Sequence, residues 1–299
     1  LKYLIANQYL FVNLTKTTDL CLQTYKNQPM IDNAYLIDDL LSQAVFNNQY
    51  GLQTSISICF EYFPNQLEKI YQLLSTKQRY LADIIDFILS ESGRHQRDDG
   101  ILDYLDQLFI TQPILAPKGH IYCRHLKHWY SLPNTPKVIK EKIYGLSVKW
   151  LNIILETPEI AQKLAVTQES GLVIQILLAI IAQKKSQENF VLLKRVLDNS
   201  ALVIGFRFEA MMYIYDLYGY IPDNMSPLIT KMAEKETYFP TGYYEGRYSL
   251  EQFLVNEQLC SIESLLLIAQ HHPHHYEAYK ALKQREDIVA YIPQIIDAL

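Results

Sequence analysis

Residues 171–184, GLVIQILLAIIAQK, decide how we interpret the fold of this protein. Apolar side chains fill almost every position of this stretch, and Gln175 is the only polar interruption before Gln183. The apolar run is about 12 residues long, whereas a bilayer requires about 20. A helix that is apolar nearly all round must therefore be covered on several sides by other elements. We expect it to be an inner helix in a stack of helical hairpins.

Helical spacing runs through most of the chain. In residues 137–156 the apolar positions are separated by steps of 4, 3, 4 and 3 residues: Ile139, Ile143, Leu146, Trp150 and Ile153. Residues 32–49 and 76–90 have the same periodicity, and no stretch alternates as a strand would. We predict an all-α protein whose stacked antiparallel helical hairpins form an α-solenoid.

Local signals predict where some helices begin and end. Thr135 and Thr157 each precede a proline, a pattern that predicts an N-cap followed by proline as the first helical residue. Ser249 and Gln252 have the spacing of a capping box. Gly93 is the predicted C-terminal stop of the helix in residues 76–90.

A weak internal repeat supports the stacked arrangement. Displacing residues 179–197 by 35 positions aligns their apolar side chains with those of residues 214–232. Repeats of this length are typical of helix–turn–helix arrays. The segment therefore resembles tetratricopeptide and pentatricopeptide repeats, and irregular pairs of the HEAT or armadillo kind fit as well.

Helices are predicted to resume immediately after the likeliest break in the chain, so we expect one continuous domain. We predict a single α-helical repeat domain over residues 1–299. Two prolines and a glycine place a joint at residues 112–119, which separates N-terminal hairpins (1–112) from C-terminal hairpins (119–299).

Composition excludes several classes of protein. With 299 residues, 49% of them hydrophobic, the chain is neither disordered nor fibrous and is long enough to bury a large core. Its four cysteines are far apart in the sequence, a spacing that predicts reduced thiols. We find no signal-peptide pattern and expect an intracellular, cytoplasmic protein. Because the first residue is Leu rather than Met, we expect the sequence to be a fragment.

Positive charge is concentrated in residues 118–149. This basic segment holds seven Lys or Arg residues against one Glu, a net +6, within a chain of net charge −5. Interleaved histidines and aromatic residues suit phosphate contact and base stacking, so an RNA-binding repeat protein is the alternative function. A pI near 5.9 argues against nucleic acid as the main ligand. The candidate anion-binding residues are Lys118, Arg124, Lys127, His128, Lys137 and Lys140.

An acidic motif provides a third, minor hypothesis. Asp98, Asp99 and Asp103 resemble the aspartate-rich motif of class I terpene cyclases and prenyl synthases, which implies an all-α enzyme that binds Mg²⁺ and a diphosphate through these carboxylates. The competing interpretation makes Asp98 or Asp99 a helix N-cap and directs the acids to solvent, because Ile101 and Leu105 occupy the opposite helix face.

Histidine clusters do not have the spacing of a zinc site. His271, His272, His274 and His275 surround Pro273, which predicts a turn, and no Cys or acid completes a tetrahedral set. His120, Cys123, His125 and His128 do not share one helix face. We therefore predict no metal and no cofactor.

The most unusual segment is the aromatic loop, residues 238–248 (YFPTGYYEGRY). Long aromatic loops on helical scaffolds are often binding sites, although Phe239 and Tyr243 could instead fill a groove between hairpins. Nucleophile and phosphate-loop motifs are missing from the sequence. We therefore predict a non-enzymatic scaffold or adaptor that binds a protein or peptide, and the candidate partner-binding residues are Tyr238, Phe239, Tyr243, Tyr244, Arg247 and Tyr248.

Overall fold

The computed structural model describes residues 56–57, 60, 81–98, 100–111, 119–164, 168–219, 262–271, 275–293 and 296. Within these ranges the chain is helical and contains no strand, which confirms the predicted all-α class for that part of the protein. No helix in the same ranges is both long and apolar enough to cross a membrane. The arrangement of hairpins into an α-solenoid stays a prediction.

The chain divides into two compact units, Leu1–Leu146 and Ser147–Leu299. The first unit contains α1 (Leu81–His95), α2 (Ile101–Thr111), α3 (Gly119–Ser131) and the start of α4 (Lys137–Glu156). The predicted joint at 112–119 lies outside the described residues except for Gly119, which begins α3. The single-domain interpretation stays a prediction.

Large aromatic side chains form the core of the first unit. Helix α1 packs against α2 and α3, and Phe109, Tyr122 and Trp129 are fully buried. Each such ring removes roughly 150–250 Å² from water, which makes these side chains a dominant source of stability. Two polar contacts join α3 to α1: the Tyr122 hydroxyl donates to the Ala82 carbonyl at 3.3 Å, and His125 Nε2 lies 2.6 Å from Asp86 Oδ1.

Helix α1 does not stop at Gly93, so that prediction is wrong. The helix continues to His95 and closes through Gln96, whose φ of 53° is left-handed. The Gln96 N–H donates to the Gly93 carbonyl at 3.3 Å and the Arg97 N–H donates to the Ser92 carbonyl at 3.1 Å. This pair of bonds is a Schellman motif. An ion pair between Arg94 and Glu91, one turn apart at 2.5 Å, supports the last helical turn.

The two threonine–proline signals have different outcomes. Pro158 is the first residue of the next helix, and the Thr157 carbonyl accepts from the Ala161 N–H at 3.2 Å, which confirms the predicted start. Thr135 is not an N-cap. It is buried, and its hydroxyl donates to the Trp129 carbonyl at 2.7 Å, so α4 begins at Lys137. The capping box at Ser249 lies outside the described residues.

The second unit contains α5 (Pro158–Leu164), α6 (Gln168–Ile181), α7 (Gln187–Asp198), α8 (Ile204–Tyr218), α9 (Ile262–His271), α10 (His275–Lys283) and a 3₁₀ segment (Glu286–Tyr291). Helix α6 packs against α5 and α8, α7 packs against α8, and α9 packs against α10. Helix α9 ends at His271 and α10 begins at His275, so these two histidines are helical and do not lie in the predicted turn, and Pro273 lies outside the described residues.

Helix α6 is enclosed as its sequence requires. Every residue from 171 to 178 is buried, which confirms that this apolar helix is covered on several sides. Gly171 permits a close approach, because a Cβ at this position would lie 2.9 Å from Cζ of Phe206 in α8. Helices α6 and α8 begin at residues 168 and 204, 36 residues apart, and residues 220–232 of the second copy of the predicted repeat lie outside the described residues.

Three polar side chains close the turn between α6 and α7. Ser186 caps α7 by accepting from the Asn189 N–H at 3.2 Å. The buried Asn189 amide donates to the carbonyls of Ile181 at 3.0 Å and Lys184 at 2.6 Å, which ends α6. The Tyr218 hydroxyl donates to the Ser186 carbonyl at 2.7 Å and accepts from the Ser186 N–H at 3.1 Å. Helix α8 therefore holds this turn in place.

Candidate functional site

Carboxylates of the acidic motif accept hydrogen bonds from the N-terminus of α2 and from a lysine side chain. Asp98 Oδ1 accepts from the Leu102 N–H at 2.9 Å, which confirms the capping interpretation for Asp98. Lys142 Nζ in α4 donates to Asp98 Oδ2 at 2.5 Å and to Asp103 Oδ2 at 2.8 Å. Asp99 lies outside the described residues. Two of the three motif carboxylates are therefore neutralised by the protein itself.

The same cluster keeps Lys142 charged. Partial burial alone would lower the pKa of Lys142, but the hydrogen bonds to Asp103 and Asp98, together with their charges, outweigh burial and raise this pKa. Asp103 is exposed, whereas Ile101 and Leu105 are buried on the opposite face of α2, as the sequence predicts. The arrangement stabilises the start of α2 and its contact with α4.

The histidines of α3 and its one cysteine differ in their surroundings. Cys123 is fully buried, and burial raises the pKa of its thiol to about 12. His125 is half-buried beside Asp86, and His128 is exposed. Across the part of the chain that the structure describes, no three His, Cys, Asp or Glu side chains converge on one point.

Two lysines of the basic segment are paired with acids. Lys142 is engaged with Asp98 and Asp103, and Lys137 lies 3.6 Å from Glu141. Arg124 and His128 are exposed, whereas Lys127 and Lys140 are half-buried, and Lys118 lies outside the described residues. Arg124, Lys127 and His128 share one face of α3 by their spacing, whereas Lys137 and Lys142 of α4 are paired with acids.

A buried acid in α8 escaped the sequence analysis. Glu209 is 3% exposed and is hydrogen-bonded to Tyr213, one turn along the same helix. Burial, followed by the charge of Glu209, raises the pKa of Tyr213 well above its ordinary value, so this phenol stays protonated. No motif marks these residues, because one-turn spacing between a Glu and a Tyr is common in helices.

The aromatic loop lies wholly outside the described residues. Tyr238, Phe239, Tyr243, Tyr244, Arg247 and Tyr248 all belong to it. Their assignment to partner binding stays a prediction from sequence.

A second set of exposed apolar residues, which the sequence analysis missed, lies at the end of the chain. We call Val289, Ile292 and Ile296 the C-terminal apolar row. Their exposed fractions are 70%, 44% and 65%. Val289 belongs to the 3₁₀ segment, and the other two residues follow it in helical conformation. Residues 288–296 (IVAYIPQII) carry no charge. This composition favours a buried helix, so the sequence alone does not reveal that one side of the segment is exposed.

The geometry of the 3₁₀ segment explains this exposure. In a 3₁₀ helix, side chains three residues apart are eclipsed. Ile288 and Tyr291 therefore share one side, and both are half-buried. The Tyr291 hydroxyl donates to Glu263 Oε1 in α9 at 2.9 Å. Val289 and Ile292 share another side, which faces solvent.

Comparison with known proteins gives no relative from which a function could be transferred: no family model, curated protein or solved structure matches the chain.

Proposed function

We propose that the protein is a non-enzymatic scaffold or adaptor that binds a protein or peptide. The observation that supports this most directly is the C-terminal apolar row, three large side chains exposed within eight residues. Soluble proteins rarely leave such groups together in water unless another molecule covers them. The aromatic loop, with its tyrosines and Arg247, supplies a second candidate surface whose residue types are enriched at binding hot spots.

The test compares partner capture by the full chain and two variants. One variant replaces the apolar row (Val289→Ser, Ile292→Ser and Ile296→Ser), and the other replaces the loop (Tyr243→Ala, Tyr244→Ala and Arg247→Ala). The matched control is Val191→Ser, because Val191 is 50% exposed but lies alone on α7. We expect at least one variant to lose a partner that the control retains, with an unchanged melting temperature. Equal capture by all three would contradict the proposal.

RNA binding by the basic segment remains the alternative proposal. Arg124 and His128 are exposed and support it, whereas the pairing of Lys142 and Lys137 with acids weakens it. RNA affinity that falls steeply between low and physiological salt, and that depends on Arg124 and Lys127, would favour this function over a protein scaffold.

A further inference from the structure

We draw no further inference here: the strongest candidate, the C-terminal apolar row at the end of the chain, is an exposed apolar face, and nothing in the part of the chain that the structure describes shows what covers it.

Discussion

The amide of Asn189 closes the turn between α6 and α7, and its removal tests how the second unit is held together. Its Nδ2 donates to the carbonyls of Ile181 at 3.0 Å and Lys184 at 2.6 Å, and the side chain is 1% exposed. Asn189→Ala deprives both carbonyls of this donor. We expect the free energy of unfolding to fall, because a buried carbonyl that loses its donor is not fully rehydrated.

The size of the loss follows from the two bonds. Each of the two hydrogen bonds contributes about 0.5–1.5 kcal/mol. Neither carbonyl is left without any partner, because the Ile181 carbonyl keeps the Lys184 N–H at 3.2 Å and Lys184 is exposed to water. The higher helix propensity of alanine offsets up to about 0.5 kcal/mol of this destabilisation. The net destabilisation should be about 1–2 kcal/mol.

Urea unfolding of the full chain, followed by circular dichroism, measures this loss, and hydrogen exchange of residues 182–190 locates it. The matched control is Asn199→Ala, since the Asn199 side chain accepts from the Ala201 N–H at 2.9 Å at an exposed position. We expect the control to cost less than about 1 kcal/mol. If Asn189→Ala costs no more than Asn199→Ala, the assignment of Asn189 as the closing group of this turn is refuted.

Asn189→Asp adds a pH-dependent form of the same test. The introduced carboxyl would be buried against two carbonyl oxygens, which raises its folded-state pKa above the ordinary value of about 3.9. The variant should therefore be most stable below about pH 4, where the carboxyl is protonated in both states, and should lose stability as the pH rises through the folded-state pKa. A deficit that stays constant from pH 4 to pH 8 would contradict this reasoning.

Three other predictions concern backbone fit and charge. Gln96→Gly should stabilise the protein by about 1 kcal/mol in urea unfolding, because φ is 53° there; a loss would contradict the Schellman closure. Gly171→Ala should destabilise the protein by about 1–2 kcal/mol, because the added Cβ would contact Phe206. Gly145→Ala has open space around the added Cβ and should stabilise the protein by up to about 1 kcal/mol. Equal effects of the two substitutions would refute the close approach at Gly171. Lys142→Met should cost up to about 1 kcal/mol at neutral pH. Because the folded-state pKa of Lys142 is raised, this difference should disappear as the pH rises through that pKa, as pH-dependent melting would detect.

Several features of this protein follow from its sequence alone. The 3.6-residue period of residues 137–156 requires a helix whose buried side includes Ile139, Ile143 and Trp150, and these three side chains are buried. The apolar composition of residues 171–184 requires enclosure, and α6 is enclosed. Asp98 is a helix cap because a short carboxylate can reach an N–H a few residues ahead. The helical period and the cap depend on interactions within one or two helical turns, whereas the need to enclose α6 follows from its apolar composition.

Other features were decided only by tertiary contacts. Lys142 meets Asp98 across 44 residues, and Tyr218 reaches Ser186 across 32, so no local pattern reveals either pair. Thr135 does not cap α4, because its hydroxyl donates a hydrogen bond to the carbonyl of Trp129 in the preceding helix.

The candidate site shows the same division. Apolar periodicity indicates which face of a helix avoids water. It does not indicate whether other helices of the chain pack against that face. Ile139 and Ile292 both occupy the apolar face of a helical segment, yet Ile139 is 6% exposed and Ile292 is 44% exposed. The sequence alone thus determined the helices and their apolar faces. Only the tertiary structure decided that the C-terminal row faces solvent, because burial depends on which other helices pack against that side.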